Sequence, residues 1–68
     1  LEEEEYRIDL ALTLLKYGEA LLLLGQAERA VGPLLRARGI FHEMGATYFV
    51  REVDARLRRS GQARAWPS

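Results

Sequence analysis

The stretch ERAVGPLLRARGIF (residues 28–41) holds Gly32 and Pro33 in the middle of a sequence that otherwise has the pattern of a helix. Proline lacks the backbone N–H and its ring clashes with the preceding turn, so it costs a helix interior about 3 kcal/mol. The chain therefore either turns here, with Pro33 as the first residue of a new helix, or continues as one bent helix. This choice fixes the number of helices.

The spacing of apolar residues favours a single helix. Residues at intervals of three and four keep the same phase on both sides of Pro33: Ala27, Ala30, Leu34, Ala37, Phe41 and Met44. A loop would change that phase, and Gly32 relieves part of the clash because it has no Cβ. We therefore predict one helix over residues 26–44, bent at Pro33, with a turn at residues 31–33 as the alternative.

The preceding segment, residues 2–24, predicts a first helix, because the acids of residues 2–5 complement the positive end of a helix dipole. One apolar set, spaced 4-3-4-3, is assigned to the contact with the second helix: Leu10, Leu14, Tyr17, Leu21 and Leu24. A second apolar set lies beside it and has no contact within the hairpin assigned to it: Ile8, Leu12, Leu15 and Leu22. Gly25 supplies the left-handed residue that ends this helix.

A third helix is predicted over residues 46–59, between Gly45 and Gly61, with four apolar residues directed inward: Phe49, Val50, Val53 and Leu57. The segment GQARAWPS (residues 61–68) has no periodicity and predicts a disordered or loosely attached tail. The sequence thus predicts an all-α module over residues 1–60, an antiparallel helical hairpin followed by a third, capping helix.

Composition restricts the class of protein. The chain has 68 residues, one histidine and no cysteine, so neither disulfides nor a metal site can staple it. So small a core favours oligomerisation or membership of a longer protein, and the start at Leu1 favours a fragment. The apolar stretch of residues 10–24 contains Lys16 and Glu19 and is too short to span a bilayer. We expect a cytoplasmic protein without a membrane partner.

Charge is balanced overall but divided along the chain. Residues 1–34 carry a net charge of −4 and residues 35–68 a net charge of +4, which suits contact between the two halves or between chains. A nucleic-acid surface would rest on five residues: Arg56, Arg58, Arg59, Arg64 and Trp66. Arginines near a helix C-terminus are expected from the dipole alone, and the zero net charge argues against nucleic acid as a partner.

Nothing in the sequence predicts an enzyme, a cofactor or a metal. His42 is expected on a helix surface, and no acid or nucleophile is spaced to make it a general base. Pairs such as Arg51 and Asp54 are expected to be surface ion pairs worth tenths of a kcal/mol.

The hairpin resembles the tetratricopeptide repeat (TPR), a helix pair of about 34 residues. Leu14 stands at its first large position, Tyr17-Gly18 replaces its Leu-Gly, and Gly25 matches its turn glycine. Four further residues fill its remaining positions: Leu21, Ala30, Leu34 and Ala37. A fainter second copy follows 36 residues on, with Asp54 where Gly18 stands: Val50, Val53, Leu57 and Gly61. The chain lacks the tryptophan with which the family's repeat starts, and it has Phe41-His42 where the family often has a closing proline.

The sequence around ALTLLKYG and ARLRRSG is similar to the degenerate C-terminal repeats of large bacterial regulators, which include LuxR-type activators and signalling ATPases or cyclases. The resemblance implies protein binding through the first helix. The predicted binding residues are the groove positions of the family together with one residue of the second apolar set: Ile8, Leu12, Leu15, Glu19, Leu22 and Leu23.

That face is apolar, which indicates an apolar partner helix, a neighbouring repeat or a second copy, so we expect a homo-oligomer. In one alternative, these leucines pack under Phe49, Val53 and Leu57 of the same chain. In another, the chain is a structural capping repeat with no partner of its own.

Overall fold

The computed structural model describes the backbone of residues 2–65 and the side chains of residues 2–61. It contains three helices, α1 (Glu2–Leu23), α2 (Ala27–Glu43) and α3 (Thr47–Ala65), and this part of the chain has no strand. The predicted all-α class is therefore confirmed. The middle helix α2 packs extensively against both neighbours, whereas α1 and α3 touch each other over a small area.

Contacts between helix ends show that the helices alternate in direction. Arg7 near the start of α1 pairs with Glu43 at the end of α2. In the same way, Ser60 in the second half of α3 lies at Ala27, the first residue of α2. The structure is thus an antiparallel hairpin with a third helix laid along its second member.

Two glycine turns produce these reversals. Gly25 has a φ of +76° and Gly45 a φ of +71°, a backbone region that L side chains rarely adopt. After each glycine, the next N–H reaches back to the preceding helix: Gln26 donates to the Leu21 carbonyl at 2.8 Å, and Ala46 to the Phe41 carbonyl at 2.9 Å. These bonds satisfy carbonyls that the helix leaves free, and they confirm the predicted stops.

Pro33 lies inside α2, which runs without a break from Ala27 to Glu43. The prediction of one continuous helix is confirmed, and the alternative turn at residues 31–33 is wrong. The spacing of the apolar residues predicted this correctly, because residues on both sides of Pro33 stay on one face only if the backbone between them is helical.

We expect Pro33→Ala to raise the free energy of unfolding by about 1–2 kcal/mol. Alanine restores an N–H donor for the Arg29 carbonyl and removes the ring clash, while the less restricted unfolded chain offsets part of the gain. Urea denaturation of both proteins measures the difference. A loss of stability would mean that the half-buried proline ring contributes more by packing than the missing hydrogen bond costs.

The core lies between α2 and its neighbours. Its buried apolar residues are Ala11, Leu15, Leu21, Ala30, Leu34, Ala37, Phe41 and Val53. The predicted inner residues of α2 are confirmed at its four central positions, and Val53 is the buried centre of α3 as predicted.

The predicted inner face of α1 is only partly correct: Leu21 is buried and Leu14 packs against the core as predicted, but two other members of the set face solvent. Tyr17 and Leu24, assigned to the hairpin contact, are 48% and 70% exposed. Besides Leu21, the buried residues of α1 are Ala11, Leu15 and Gly18. Because α1 is apolar around much of its circumference, apolarity alone could not select its inner side; the small residues Ala11 and Gly18 do so, since they allow the closest approach of α2.

The predicted end of the third helix is also wrong. α3 continues through Gly61 to Ala65, so residues 61–65 are helical. Gly61 does not adopt the positive φ of Gly25 and Gly45, and the residues after it, QARA, are good helix formers that carry the helix onward. Residues 66–68, including Trp66, lie outside the described part of the chain.

Candidate protein-binding surface

Three of the six predicted binding residues lie within the chain's own core. Leu15 is only 8% exposed and belongs to the buried cluster, and Leu12 and Leu22 are partly buried against it. Phe49 and Leu57 of α3 pack against the same cluster. For these three leucines, the alternative in which the chain covers its own face is what the structure shows.

The other three predicted residues remain at the surface but do not form a continuous apolar patch. Ile8 is 39% and Leu23 75% exposed. Between them, Glu19 is half-buried and lies beside Arg56 of α3, with 3.6 Å between its Oε2 and the Nη2 of Arg56. A charged contact therefore interrupts this face of α1.

Arg56 connects α1 to α3. Its side chain is 21% exposed, and its Nη1 donates to Oε1 of Glu52 at 2.9 Å and to the Glu52 carbonyl at 3.1 Å. Its Nε is buried without a hydrogen-bond partner among the described side chains and backbone. The sequence grouped Arg56 with surface arginines; only the Glu52–Arg56 spacing of four hinted at a local pair.

Ser60 is a second residue that the sequence analysis missed. Its side chain is fully buried, and its Oγ donates to the Ala27 carbonyl at 2.9 Å. The bond ties the later part of α3 to the first turn of α2. A serine next to a run of arginines gives no sequence signal for this role.

The side of α1 that faces away from the core carries a continuous row of apolar and small residues, which we call the outer stripe. Its members follow a 4-3-4-3-4 spacing: Tyr6, Leu10, Thr13, Tyr17, Ala20 and Leu24. All are exposed except Leu10, which is half-buried. Tyr6 is 67% and Leu24 70% exposed. A helix needs only one apolar side to fold onto a core, so this row is a second one.

The outward side of α3 has a different character. Tyr48 is 67% exposed, and beside it Arg51, Arg58 and Arg59 are exposed and make no ion pair within residues 2–61. At the border with α2, Arg38 donates to Asp54 at 2.6 Å. That hydrogen bond, with the negative charge of Asp54, raises the pKa of Arg38 above its ordinary value.

Two clefts lined by residues of the described part of the chain are small and open. One of about 290 Å³ is lined by Glu4, Arg7, Glu43 and Met44, and one of about 300 Å³ by His42, Gly45, Thr47 and Val50. Over residues 2–61, no three histidine, cysteine or acidic side chains gather as metal ligands would. Nor does any described helix have the length and apolarity to cross a bilayer.

Comparisons with family models, with curated proteins and with solved structures found no match to this chain. A function for this chain must therefore be inferred from its own surface. It offers an exposed apolar stripe on α1, a charged outward side on α3 and open clefts of mixed character. Of these, the outer stripe is the feature that solvent exposure makes costly.

Proposed function

We propose that this chain is a TPR-like protein–protein interaction module of a larger cytoplasmic bacterial regulator, and that it self-associates through α1. The outer stripe carries this proposal, since Tyr6, Tyr17 and Leu24 are 67%, 48% and 70% exposed in one row along α1 and the first residue after it. Contiguous exposed apolar residues of this kind mark sites of protein interaction.

Packing within the hairpin supports the repeat-like part of the proposal. Gly18 meets Leu34 so closely that a Cβ at Gly18 would lie 2.6 Å from two atoms of the leucine. Ala30 and Ala37 are fully buried on the same helix as Leu34. The repeat family places small residues at these positions because two helix backbones approach there. Catalysis, a cofactor, a metal and nucleic acid are not part of the proposal.

The energetics of exposure support self-association. Full burial of a large apolar side chain contributes about 1.5–3 kcal/mol, and a domain this small has a total stability of a few kcal/mol. Covering Tyr6 and Tyr17 is therefore worth a sizeable fraction of that stability, and a second copy of the same helix is an apolar partner that is always present.

One observation favours the alternative, a structural capping repeat of a solenoid. Terminal repeats carry a polar outer face, and the outward side of α3 has this character, with Arg51, Arg58 and Arg59 exposed. In that case the outer stripe would be covered by a preceding repeat of the same protein.

Light scattering across concentrations from about 10 µM to about 1 mM tests the proposal. We expect a wild-type mass of two chains and a mass of one chain for Tyr17→Glu, because a charge in the centre of the stripe cannot be buried without a partner. Leu35→Glu is the matched control: Leu35 is 53% exposed but lies on α2, away from the stripe, so its variant should still associate. Leu15 is unsuitable, since a charge there would unfold the core.

A wild-type mass of one chain at high micromolar concentration would contradict self-association and favour the capping repeat. Equal masses for wild type and Tyr17→Glu would show that any association uses another surface.

A further inference from the structure

We propose that two copies of this chain pair antiparallel along the outer stripe, in a register that places Tyr6 of each copy opposite Tyr17 of the other and Leu10 opposite Thr13. This inference rests on the self-association proposed above and gives it a face, an orientation and a register. Three observations support it, one for each of these features.

The face is the outer stripe rather than the predicted leucines. Leu12, Leu15 and Leu22 are already covered within the chain, whereas every residue of the stripe except the half-buried Leu10 is exposed. Its alternation of four and three residues is the spacing by which two helices form a seam. The binding face therefore lies on the side of α1 that the sequence had assigned to the hairpin.

The contact area reaches the lower range of specific interfaces. Aromatic side chains bury about 150–250 Å² each, so the exposed parts of Tyr6 and Tyr17 in two copies supply roughly 450 Å². Leu10, Thr13 and the aliphatic stem of Lys16 from both copies add to this area, which places the contact at the low end of interface sizes, below about 1,200 Å². We therefore expect a dimer with a Kd in the micromolar range rather than a permanent assembly.

Charge selects the antiparallel orientation. Glu2, Glu3, Glu4 and Glu5 are all exposed at the start of α1. A parallel pairing would bring eight carboxylates together at one end, and like charges at such distances repel. An antiparallel pairing places the two acidic ends at opposite ends of the seam. A twofold axis then relates the copies, so each contact occurs twice.

Charge also selects the register. Asp9 and Lys16 lie on the same flank of the stripe, two helical turns apart, and both are exposed. Neither forms an ion pair within residues 2–61, and Lys16 is the only lysine of the chain. With the twofold axis passing between Ala11 and Leu12, each Asp9 lies within about 3 Å, along the helix axis, of Lys16 in the second copy. The same register aligns Tyr6 with Tyr17 and Leu10 with Thr13.

A charge-exchange experiment tests the register. Asp9→Lys places two lysines opposite two lysines, and Lys16→Asp places two aspartates opposite two aspartates, so each variant should raise the dimer Kd roughly tenfold or more at low salt. A mixture of the two should form a heterodimer, because every contact then joins unlike charges. The double variant Asp9→Lys, Lys16→Asp should dimerise like the wild type. Sedimentation equilibrium at about 50 mM salt measures all four.

Two controls accompany the experiment. Glu28→Lys changes an exposed charge on α2, away from the stripe, and should leave the Kd unchanged. Circular dichroism should show the same helix content for every variant, since Asp9 and Lys16 are exposed and support no core contact. In about 1 M salt, screening should bring the Kd values of the variants together.

The outcomes separate this inference from the proposal beneath it. A dimer that is weakened by Tyr17→Glu but indifferent to the charge exchanges would overturn the register and leave self-association through α1 standing. A wild-type chain that remains monomeric to high micromolar concentration would overturn both. Heterodimer formation on mixing, together with recovery in the double variant, would establish the antiparallel register.

Discussion

Replacing Gly18 by leucine is expected to lower the free energy of unfolding by about 3 kcal/mol or more. An ideal Cβ at Gly18 lies 2.6 Å from both Cγ and Cδ2 of Leu34, closer than carbon atoms approach in folded proteins. Leu34 is fully buried in the centre of the core, so it has no free space into which to move. Overpacking of this kind typically costs 1–3 kcal/mol and at times more. The urea midpoint measures the loss.

Gly32→Ala is the matched control on the facing helix. Apart from its chain neighbours, a Cβ there meets nothing within 4 Å, so alanine should change stability by less than about 1 kcal/mol, because the preference of a helix for alanine over glycine is opposed by the contact of the new Cβ with Pro33. In a Leu34→Ala background the cost of Gly18→Leu should shrink, because the clashing atoms are absent. Equal costs in both backgrounds, or a larger loss for Gly32→Ala, would contradict the close approach of α1 and α2 at Gly18.

Features that depend on local backbone geometry were predictable from the sequence. The phase of the apolar residues identified α2 as one helix despite Pro33, because a turn would have changed that phase. Gly25 and Gly45 marked the two turns, because each stands where a periodic pattern stops and glycine tolerates a positive φ. Gly61 shows the limit of this rule, since glycine permits a helix to end but does not force it to do so.

Features that depend on how the helices pack against one another were less predictable from the sequence. α1 is apolar on several sides, so its pattern was compatible with more than one inner face. The hydroxyl-bearing Tyr17 and the presence of Thr13 in the same row were the available signals that this row faces water. Arg56 and Ser60 acquire their contacts only when α3 docks, so their roles could not be inferred from neighbours in sequence.

That α1 is the binding helix stays a prediction. The residues proposed for the contact on α1 change. Sequence reasoning selected α1 because it has more apolar surface than a hairpin needs, and the structure shows the same excess on the outer stripe. It selected Leu12, Leu15 and Leu22 because they stand at the groove positions that the repeat resemblance implies and belong to the second apolar set of α1. Those leucines pack in the core with Val53, which leaves the stripe as the surface without a partner in residues 2–61.

Phe41→Ala is expected to cost about 3–5 kcal/mol, the usual range for removing a buried aromatic side chain. Phe41 is 1% exposed, and its ring stacks on Phe49 with 4.9 Å between centroids and 17° between planes. The pair joins the end of α2 to the start of α3, so its loss leaves a cavity beside the glycine turn at Gly45. A domain of this size has roughly 3–10 kcal/mol of stability in total, so the loss removes a large share of that stability.

Tyr48→Ala separates the effect of burial from that of aromatic contact. Tyr48 also touches Phe49, edge to face with 5.2 Å between centroids, but it is 67% exposed. Its removal leaves no cavity and should cost about 1 kcal/mol or less, the value of an aromatic pair alone. Thermal unfolding followed by circular dichroism compares the two variants. If Phe41→Ala and Tyr48→Ala lowered the midpoint equally, Phe41 would not be the residue that holds α3 against the hairpin, since a buried side chain and an exposed one with the same neighbour differ chiefly in the cavity they leave.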